Sequence, residues 1–334
     1  MGITVSAVML AVLYVAVGGR DGLSQIGTAM LDARPLPMAL AVVVYGGAVW
    51  LRAARWHHLV RPFADVPTGR LFAVMMIGFS VNNVLPFRLG EVVRTVLVHA
   101  SHQVPLSATL ASILVERALD VWVLCLLMTV VFLNAPLPGW LDTLGSVSTL
   151  VAVAGILGGL AVVVVGRSLD RVLYQPIIRL GARGGRRVEG LLRSLISGLR
   201  AIEQPSAFIR IAVLSMLCWI AELGLYYLVM VGFSFDSGIL SMMAGMVVAN
   251  LATVLPSSPG YVGTFDVPLH LTLSQAFGVP DGLAASFTLT AHTLLLVPVV
   301  IFGMALLARE DLSLHALIRG QIKPKESATP PSRT

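Results

Sequence analysis

The sequence is poor in charge. Only 12% of its 334 residues are Asp, Glu, Lys or Arg, against roughly 25% in an average soluble domain. Together with 57% hydrophobic residues, that scarcity excludes an ordinary soluble fold. Cysteine is scarce too. Cys125 and Cys218 both lie in apolar runs, make no disulfide framework, and read as small packing residues. No polar stretch reaches the size of a catalytic domain; the longest is 167–210. Also missing are a zinc-ligand spacing, a nucleophile elbow and a nucleotide fingerprint. His57 and His58 are adjacent, so a helix points them to different faces. His292 stands alone in an apolar run, where a helix–helix hydrogen bond is the plainer role. These absences speak against an enzyme, and no metal or cofactor is expected.

What the chain has in abundance is apolar runs near the ~20 residues that one membrane-crossing helix needs. Strands of a membrane barrel alternate apolar and polar residues instead. The expected fold is therefore an all-α polytopic membrane protein. About six full transmembrane helices are expected, at 3–18, 37–52, 105–133, 148–166, 208–232 and 281–308. The first has no positively charged flank before it, so it reads as a helix rather than a signal peptide. Two more apolar regions, 71–103 and 238–278, are interrupted by "VLPFRLGEVVR" and "VLPSSPGYVGT". They read as broken, re-entrant hairpins, a backbone tolerated at membrane depth where protein or a watery cavity surrounds it.

Loop charge orients these spans. The 52–70 loop carries Arg52, Arg55, Arg61 and Arg70, and 167–210 carries nine arginines. The tail holds Arg309, Arg319, Lys323, Lys325 and Arg333, whereas 134–147 has no Lys or Arg. The positive-inside rule then places both termini in the cytoplasm. With that orientation, hairpin 71–103 enters from inside and hairpin 238–278 from outside.

The two interruptions also align. At an offset of 170 residues, Val84, Leu85, Pro86, Gly90 and Val92 match Val254, Leu255, Pro256, Gly260 and Val262. Each is followed by a Val-Pro pair and a long apolar run. The expected plan is an inverted-topology repeat of helix, helix, broken hairpin and helix, as in many secondary transporters. Repeat one covers about 1–133 and repeat two about 148–308, joined outside by 134–147. Both belong to a single transmembrane domain, 1–310. The plainer alternative is a bundle in which Pro and Gly merely kink helices for packing.

Within "NNVLPFRLGEVVR", Pro86 removes a donor and disfavours helix at Leu85. Gly90 permits close approach or an unusual turn. A helix restarting there offers free N–H groups to an anion, and Arg88 and Arg94 add positive charge. Glu91 lies three residues from each, a helical ion-pair spacing. Downstream, "LVERALDVW" puts Glu116, Arg117 and Asp120 inside a span, where charge is costly and marks a functional path or a paired network. Two compatible readings stand: three arginines neutralise three acids, or one arginine is left for a phosphate. The second copy offers Ser257, Ser258, Tyr261 and Thr264 around Gly260, with Asp266 as an acid near the outer side. Asn82, Asn83 and Asn250 line a polar cavity or bond neighbouring helices. Glu222, midway along a span, carries a proton or pairs with an arginine.

Between 167 and 207 lies an arginine-studded amphipathic segment, expected on the cytoplasmic membrane surface, each arginine adding about 1 kcal/mol of attraction to anionic lipid. No aromatic platform accompanies it, so nucleic acid is not an expected partner. The tail, 311–334, is cytoplasmic and reads as partly disordered.

"NNVLPFRLGEVVR", "ERALD" and "PSSPGYVGTFD" resemble the signatures of the flippase-like family, the transmembrane region named after lysylphosphatidylglycerol synthase. The resemblance covers about 1–310. It implies an inner-membrane lipid translocase moving a phospholipid, polyprenyl-linked or hopanoid-type lipid between leaflets by alternating access. The aminoacyl-transferase domain of the bifunctional synthases has no counterpart in these residues, so a stand-alone member is expected. Expected partners are membrane lipids with an anionic head group, with a lipid-synthesising enzyme encoded nearby as a further candidate. Arg88, Arg94 and Gly90, with Asn82 and Asn83, would face Ser257, Ser258, Gly260, Tyr261 and Thr264 across the passage. Glu91, Glu116, Arg117, Asp120, Glu222 and Asp266 would form its charge network. Two other readings are kept: a scaffold or accessory subunit for a lipid-modifying glycosyltransferase, and an integral-membrane lipid transferase.

Overall fold

A computed structural model describes residues 32–85, 88–169, 205–254 and 258–309. The expected first helix, 3–18, most of the 167–207 segment and the 311–334 tail lie outside them. All regular structure in the described residues is helical. Helix α1 spans Pro35–Val60, α2 Thr68–Val84, α3 Leu89–His102, α4 Leu106–Asn134 and α5 Gly139–Leu169. Helix α6 spans Pro205–Gly232, α7 Gly238–Ala252, α8 Asp266–Leu271 and α9 Asp281–Arg309. A 3-10 turn, Pro259–Tyr261, stands between α7 and α8, and a π turn, Thr272–Ala276, follows α8.

The protein is a multi-pass helical membrane protein. Four helices are long and apolar enough to cross a bilayer: Pro35–Val60, Gly139–Ala161, Ser206–Gly232 and Asp281–Arg309. Helix α4 is as long as α9, 29 residues each, or about 43 Å at 1.5 Å per residue. Large apolar side chains such as Leu36, Val43, Leu150, Leu157, Ile209 and Ile301 are exposed. The buried polar residues include Arg52, Arg55, Arg94, Glu116, Asp120 and Glu222. Apolar outside and charged inside suits a chain whose solvent is lipid.

Two helix boundaries differ from those expected. The crossing expected at 37–52 continues to Val60, so Arg52 and Arg55 lie within α1 and are buried. They are not loop residues. Arginine is a good helix former, and the first proline after Pro37 is Pro62, so nothing local stops the helix at Arg52. The expected 148–166 crossing begins at Gly139. The Pro138 carbonyl accepts the first helical bonds, from Leu141 and Asp142, each at 2.9 Å. Asp142 in that first turn suits the positive end of the helix dipole. Only 135–138 is left as connection.

Helices α1 and α6 make the most extensive packing contact among the described elements. Across them Arg52 meets Glu222, a pair separated by 170 residues. Helix α9 packs on α2 and α4 packs on α7. The first contact is close: a β-carbon on Gly303 would lie 2.3 Å from the Met76 carbonyl oxygen. Helix α5 covers α4, where Trp122 donates to the Ala152 carbonyl at 3.1 Å and leaves no room for a side chain at Gly155. The apolar core is in two main parts. One gathers Trp56, Leu71, Val74, Met75, Leu97 and Ile113; the other gathers Met128, Tyr226, Met242, Met246, Leu269 and Phe287.

Candidate functional site

Each broken region is set by its own backbone. In the first, Leu85 is extended (φ −107°, ψ 147°), as the residue before a proline prefers. Arg88 then takes a left-handed conformation (φ 52°, ψ 38°) and caps α3. A non-glycine residue there costs about 1–3 kcal/mol and persists only when its surroundings fix it. The turn expected at Gly90 is thus made by Arg88. Gly90 is needed for close approach instead: a β-carbon on it would lie 1.9 Å from the Gly78 carbonyl oxygen. The start of α3 is also not an array of free donors. The Gly90 N–H donates to Asn82 Oδ1 at 2.7 Å, and the Glu91 N–H to the Arg88 carbonyl at 3.2 Å.

The second break uses positive φ three times, at Gly260 (69°), Tyr261 (58°) and Gly263 (81°). Asp266 stabilises it: its Oδ2 accepts from the Gly263 N–H at 2.8 Å. His292 of α9 ties the same segment down. One ring nitrogen lies 2.7 Å from Asp266 Oδ1 and the other 2.8 Å from the Gly260 carbonyl. Thr264 is fully buried and donates to the Tyr261 carbonyl at 3.0 Å.

A cavity of about 170 Å³ lies where the two breaks meet. Asn82, Asn83, Arg88, Glu91 and Arg94 line it from the first break and its helices; Asn250, Thr253, Tyr261 and Phe265 line it from the second. Tyr45 and Arg52 of α1, Arg117 and Asp120 of α4, Trp219 and Glu222 of α6, and His292 and Leu296 of α9 complete it. A guanidinium links the two breaks directly: Arg88 donates to the Thr253 carbonyl and lies 5.7 Å above the Tyr261 ring.

Behind this wall runs a chain of ion pairs. Arg94 makes a two-pronged contact with Glu116, at 3.1 and 2.8 Å, and lies 4.1 Å above the Trp56 ring. Glu116 also accepts from Arg117 at 2.6 Å, and Arg117 stands 3.7 Å from Asp120. Asp120 accepts from Arg55 at 2.7 Å and from the Trp219 indole at 3.3 Å. Arg52 holds Glu222 at 2.6 Å, and Glu222 accepts from Asn250 at 3.1 Å. Such pairs repay the cost of leaving water only when geometry and further hydrogen bonds are good. Here the two-pronged Arg94 contact, the Trp219 indole and the Ser215 hydroxyl supply part of that, while Arg55 Nε and Nη2, Arg94 Nε and Arg117 Nε have no hydrogen-bond partner among the described residues.

The structure brings most of the expected residues together. Arg88, Arg94, Asn82, Asn83 and Tyr261 line the cavity with Glu91, Arg117, Asp120 and Glu222, while Glu116 sits fully buried behind them. Arg94 is spent on Glu116 and is 1% exposed. Gly90, Gly260, Ser258 and Thr264 shape the backbone but do not line the cavity. Asp266 lies behind it, against His292. Ser257 is outside the described residues. The expected balance of three arginines against three acids is partly realised, since neither Arg88 nor Glu91 has an ion-pair partner among the described residues. Sequence reasoning missed Arg52, Arg55, Tyr45, Trp219 and Thr253. The spacing of Arg52 and Arg55, one helical turn apart, is the signal that was available for the first two.

The match to known proteins agrees with this architecture. The sequence family described as the lysylphosphatidylglycerol synthase TM region matches residues 1–303. Glycosyltransferase AglD of Haloferax volcanii is 24% identical over 347 aligned residues, which cover 95% of this chain and 55% of that protein. The chain therefore spans about half the length of that relative. Two proteins of Methanothermobacter thermautotrophicus, each named UPF0104 membrane protein, match over more of their length. One is 23% identical over 318 residues, covering 91% of this chain and 93% of that protein. The other is 26% identical over 281 residues, covering 80% and 81%. The family model describes a transmembrane region. Among the described residues, no group of three or more His, Cys, Asp or Glu is arranged to hold a metal ion. The chain belongs to the family of the lysylphosphatidylglycerol synthase transmembrane region.

Proposed function

We propose that the protein is an inner-membrane lipid translocase. The observation that carries this reading is the cavity itself. It is polar and arginine-lined, lies between two broken helical regions, and sits inside a chain whose outer surface is apolar. A head group enters the cavity while the acyl or isoprenoid chains stay in the bilayer. Arg88 holds an anionic phosphate, with Asn82 and Asn83 as neutral contacts and Tyr261 on the opposite wall. The ion pairs of Arg94, Arg117 and Arg52 fix the walls. Movement between leaflets follows from alternating exposure of the cavity to the two sides.

The inverted repeat is part of this reading. Three features support it. Arg52 and Glu222 meet across α1 and α6 at the same 170-residue offset that aligns the two broken motifs. Helices α4 and α9 have equal length. The packing of α9 on α2 is mirrored by that of α4 on α7. The repeats comprise about 1–133 and 148–308, and both termini are cytoplasmic. Single cysteines at Ser101 and Phe277 then label from opposite sides of the membrane; labelling from one side removes the inverted repeat.

The function is tested by reconstituting the protein into vesicles with labelled phospholipids and polyprenyl-linked lipids. Wild type is expected to exchange at least one class between leaflets faster than empty vesicles, and Arg88→Ala to lose most of that exchange. If no class exceeds empty vesicles, the translocase reading fails. A second reading is favoured by the glycosyltransferase relative, whose length extends well beyond the match: the chain supports a separate lipid-modifying transferase. Exchange that appears only when such an enzyme is co-reconstituted decides for it.

A further inference from the structure

The cavity's charges can be counted, and the count bears on the lipid. Among the described residues, its lining carries four arginines (Arg52, Arg88, Arg94, Arg117) and three acids (Glu91, Asp120, Glu222). Arg55 and Glu116, bonded directly behind the lining, add one charge of each sign. The formal sum is +1 either way. Asp266 does not line the cavity, and its two oxygens are taken by the Gly263 N–H and His292. The residual cation is not smeared over the network. Arg52, Arg55, Arg94 and Arg117 each have a carboxylate within 4.0 Å. Among the described residues, Arg88 has only the neutral Thr253 carbonyl and the Tyr261 ring. Further donors lie nearby: among the described residues Arg52 Nη1, Arg94 Nε and Arg117 Nε, all on side chains that line the cavity, are buried with no acceptor.

We propose that this cavity takes a lipid head group carrying a single negative charge on a phosphodiester, which Arg88 binds in exchange for the Thr253 carbonyl. The inference rests on the translocase reading for its assignment to lipid and goes beyond it in naming the charge class. One phosphodiester anion brings the site to neutrality. A dianionic phosphomonoester leaves a net negative charge among packed walls, where an uncompensated charge is costly. A zwitterionic head group brings its own cation and leaves the +1 in place. The exchange also has a structural consequence. The Arg88–Thr253 contact is a tie between the two breaks, and Arg88 is held in a left-handed conformation while it lasts. An anion that outcompetes a neutral carbonyl for the guanidinium releases that tie as it binds.

The test uses the purified full chain in detergent and three lipids with identical six-carbon chains, by titration calorimetry at pH 8. There a phosphomonoester, whose second pKa is near 6, is mostly dianionic. Dihexanoyl phosphatidylglycerol is expected to bind about tenfold or more tighter than dihexanoyl phosphatidylcholine, the factor that one charge-assisted hydrogen bond supplies. Dihexanoyl phosphatidic acid binds more weakly than the glycerol lipid. Arg88→Gln abolishes the preference for the anion. Glu91→Gln raises the formal sum to +2 and moves the preference to phosphatidic acid. Equal binding of the glycerol and choline lipids overturns the proposal, and so does an unchanged order of preference in a folded Glu91→Gln protein. If Arg88→Gln does not fold, the Glu91→Gln result decides alone. Failure here and failure of the translocase reading are separable. Binding with this preference but no exchange in vesicles leaves the site standing and removes the transport. Exchange without charge preference does the reverse.

Discussion

Around Gly90 the chain is held by guanidinium–carboxylate contacts; around Gly260 it is held by an imidazole, a hydroxyl and backbone carbonyls. Residues 170 apart make the contrast concrete. Arg88 stands against Ser258, Glu91 against Tyr261 and Arg94 against Thr264. On the following long helices, which begin 175 residues apart, Glu116, Arg117 and Asp120 stand against Ala291, His292 and Leu295. The two regions keep the same devices for breaking a helix: a preceding Val-Leu-Pro, a glycine, and a residue in the left-handed region. They differ in what fixes the break afterwards. The first half supplies all four arginines and two of the three acids of the ion-pair network, and Glu222 is the second half's one contribution. Backbone geometry and side-chain chemistry are thus set separately. A neutral wall opposite a charged one gives the cavity a direction, and in the proposed function only the charged side grips the anion.

The comparison predicts unequal costs when each side is cut. Arg94→Ala leaves Glu116 buried with one fewer partner, and removing one member of a buried pair costs about 3–5 kcal/mol. His292→Leu takes away a hydrogen bond from Asp266 and from the Gly260 carbonyl, for which about 1.5–3 kcal/mol is expected where a charged group takes part. Thermal unfolding in detergent ranks them: the melting temperature falls further for Arg94→Ala. If His292→Leu falls as far or further, the first break is not the more strongly fixed. Replacing both partners, Arg94→Met with Glu116→Met, regains much of the loss if the cost is an uncompensated charge rather than lost packing.

The equivalent glycines sharpen the contrast on backbone alone. Gly90→Ala forces a β-carbon against the Gly78 carbonyl at 1.9 Å, and a backbone atom cannot step aside. Helices α2 and α3 must separate, at an overpacking cost of about 1–3 kcal/mol. Gly260→Ala meets the end of the Leu296 side chain at 2.9 Å, which can rotate away, so the remaining penalty is a left-handed alanine, about 1–2 kcal/mol. Melting temperatures again give the order, Gly90→Ala below Gly260→Ala. The reverse order means that Leu296 has no room to move.

Much of this frame was legible in the residues, and the reasons are local. A proline dictates the conformation of the residue before it, so the end of α2 at Leu85 followed from Pro86. The close approach at Gly90 followed from glycine's missing side chain, although the unusual turn fell two residues earlier. The acid cluster on α4 stood out because charge inside an apolar run is costly. What did not show was pairing over long sequence distance. Arg52 and Arg55 sit near the end of an apolar run, where long basic side chains also reach toward the membrane surface. Sequence cannot tell such a residue from one buried against Glu222 or Asp120 on other helices. Of the two readings of Arg94, neutralising an acid and holding a ligand, its place against Glu116 on another helix realises the first.

The smallest expected effect lies where, among the described residues, the Arg88 side chain ties the two breaks together. Tyr261→Leu removes the ring beneath the Arg88 guanidinium but leaves the Thr253 carbonyl, the ion pairs and the His292 contacts in place. A cation–π contact at a partly open site contributes about 0.5–1 kcal/mol. The melting temperature therefore shifts little, less than for any of the four single substitutions above. The ring helps to hold Arg88 toward the second break when no anion is bound. Its loss weakens that state and leaves the anion-bound one, in which the tie has already been released, comparatively unaffected. Binding of dihexanoyl phosphatidylglycerol is then expected to tighten by about two- to fivefold, the equivalent of the lost ring contact. Weaker binding in Tyr261→Leu means that the ring stays with the guanidinium after the anion arrives. In that case the neutral wall takes part in gripping the head group, and the division of labour between the two breaks fails at this contact.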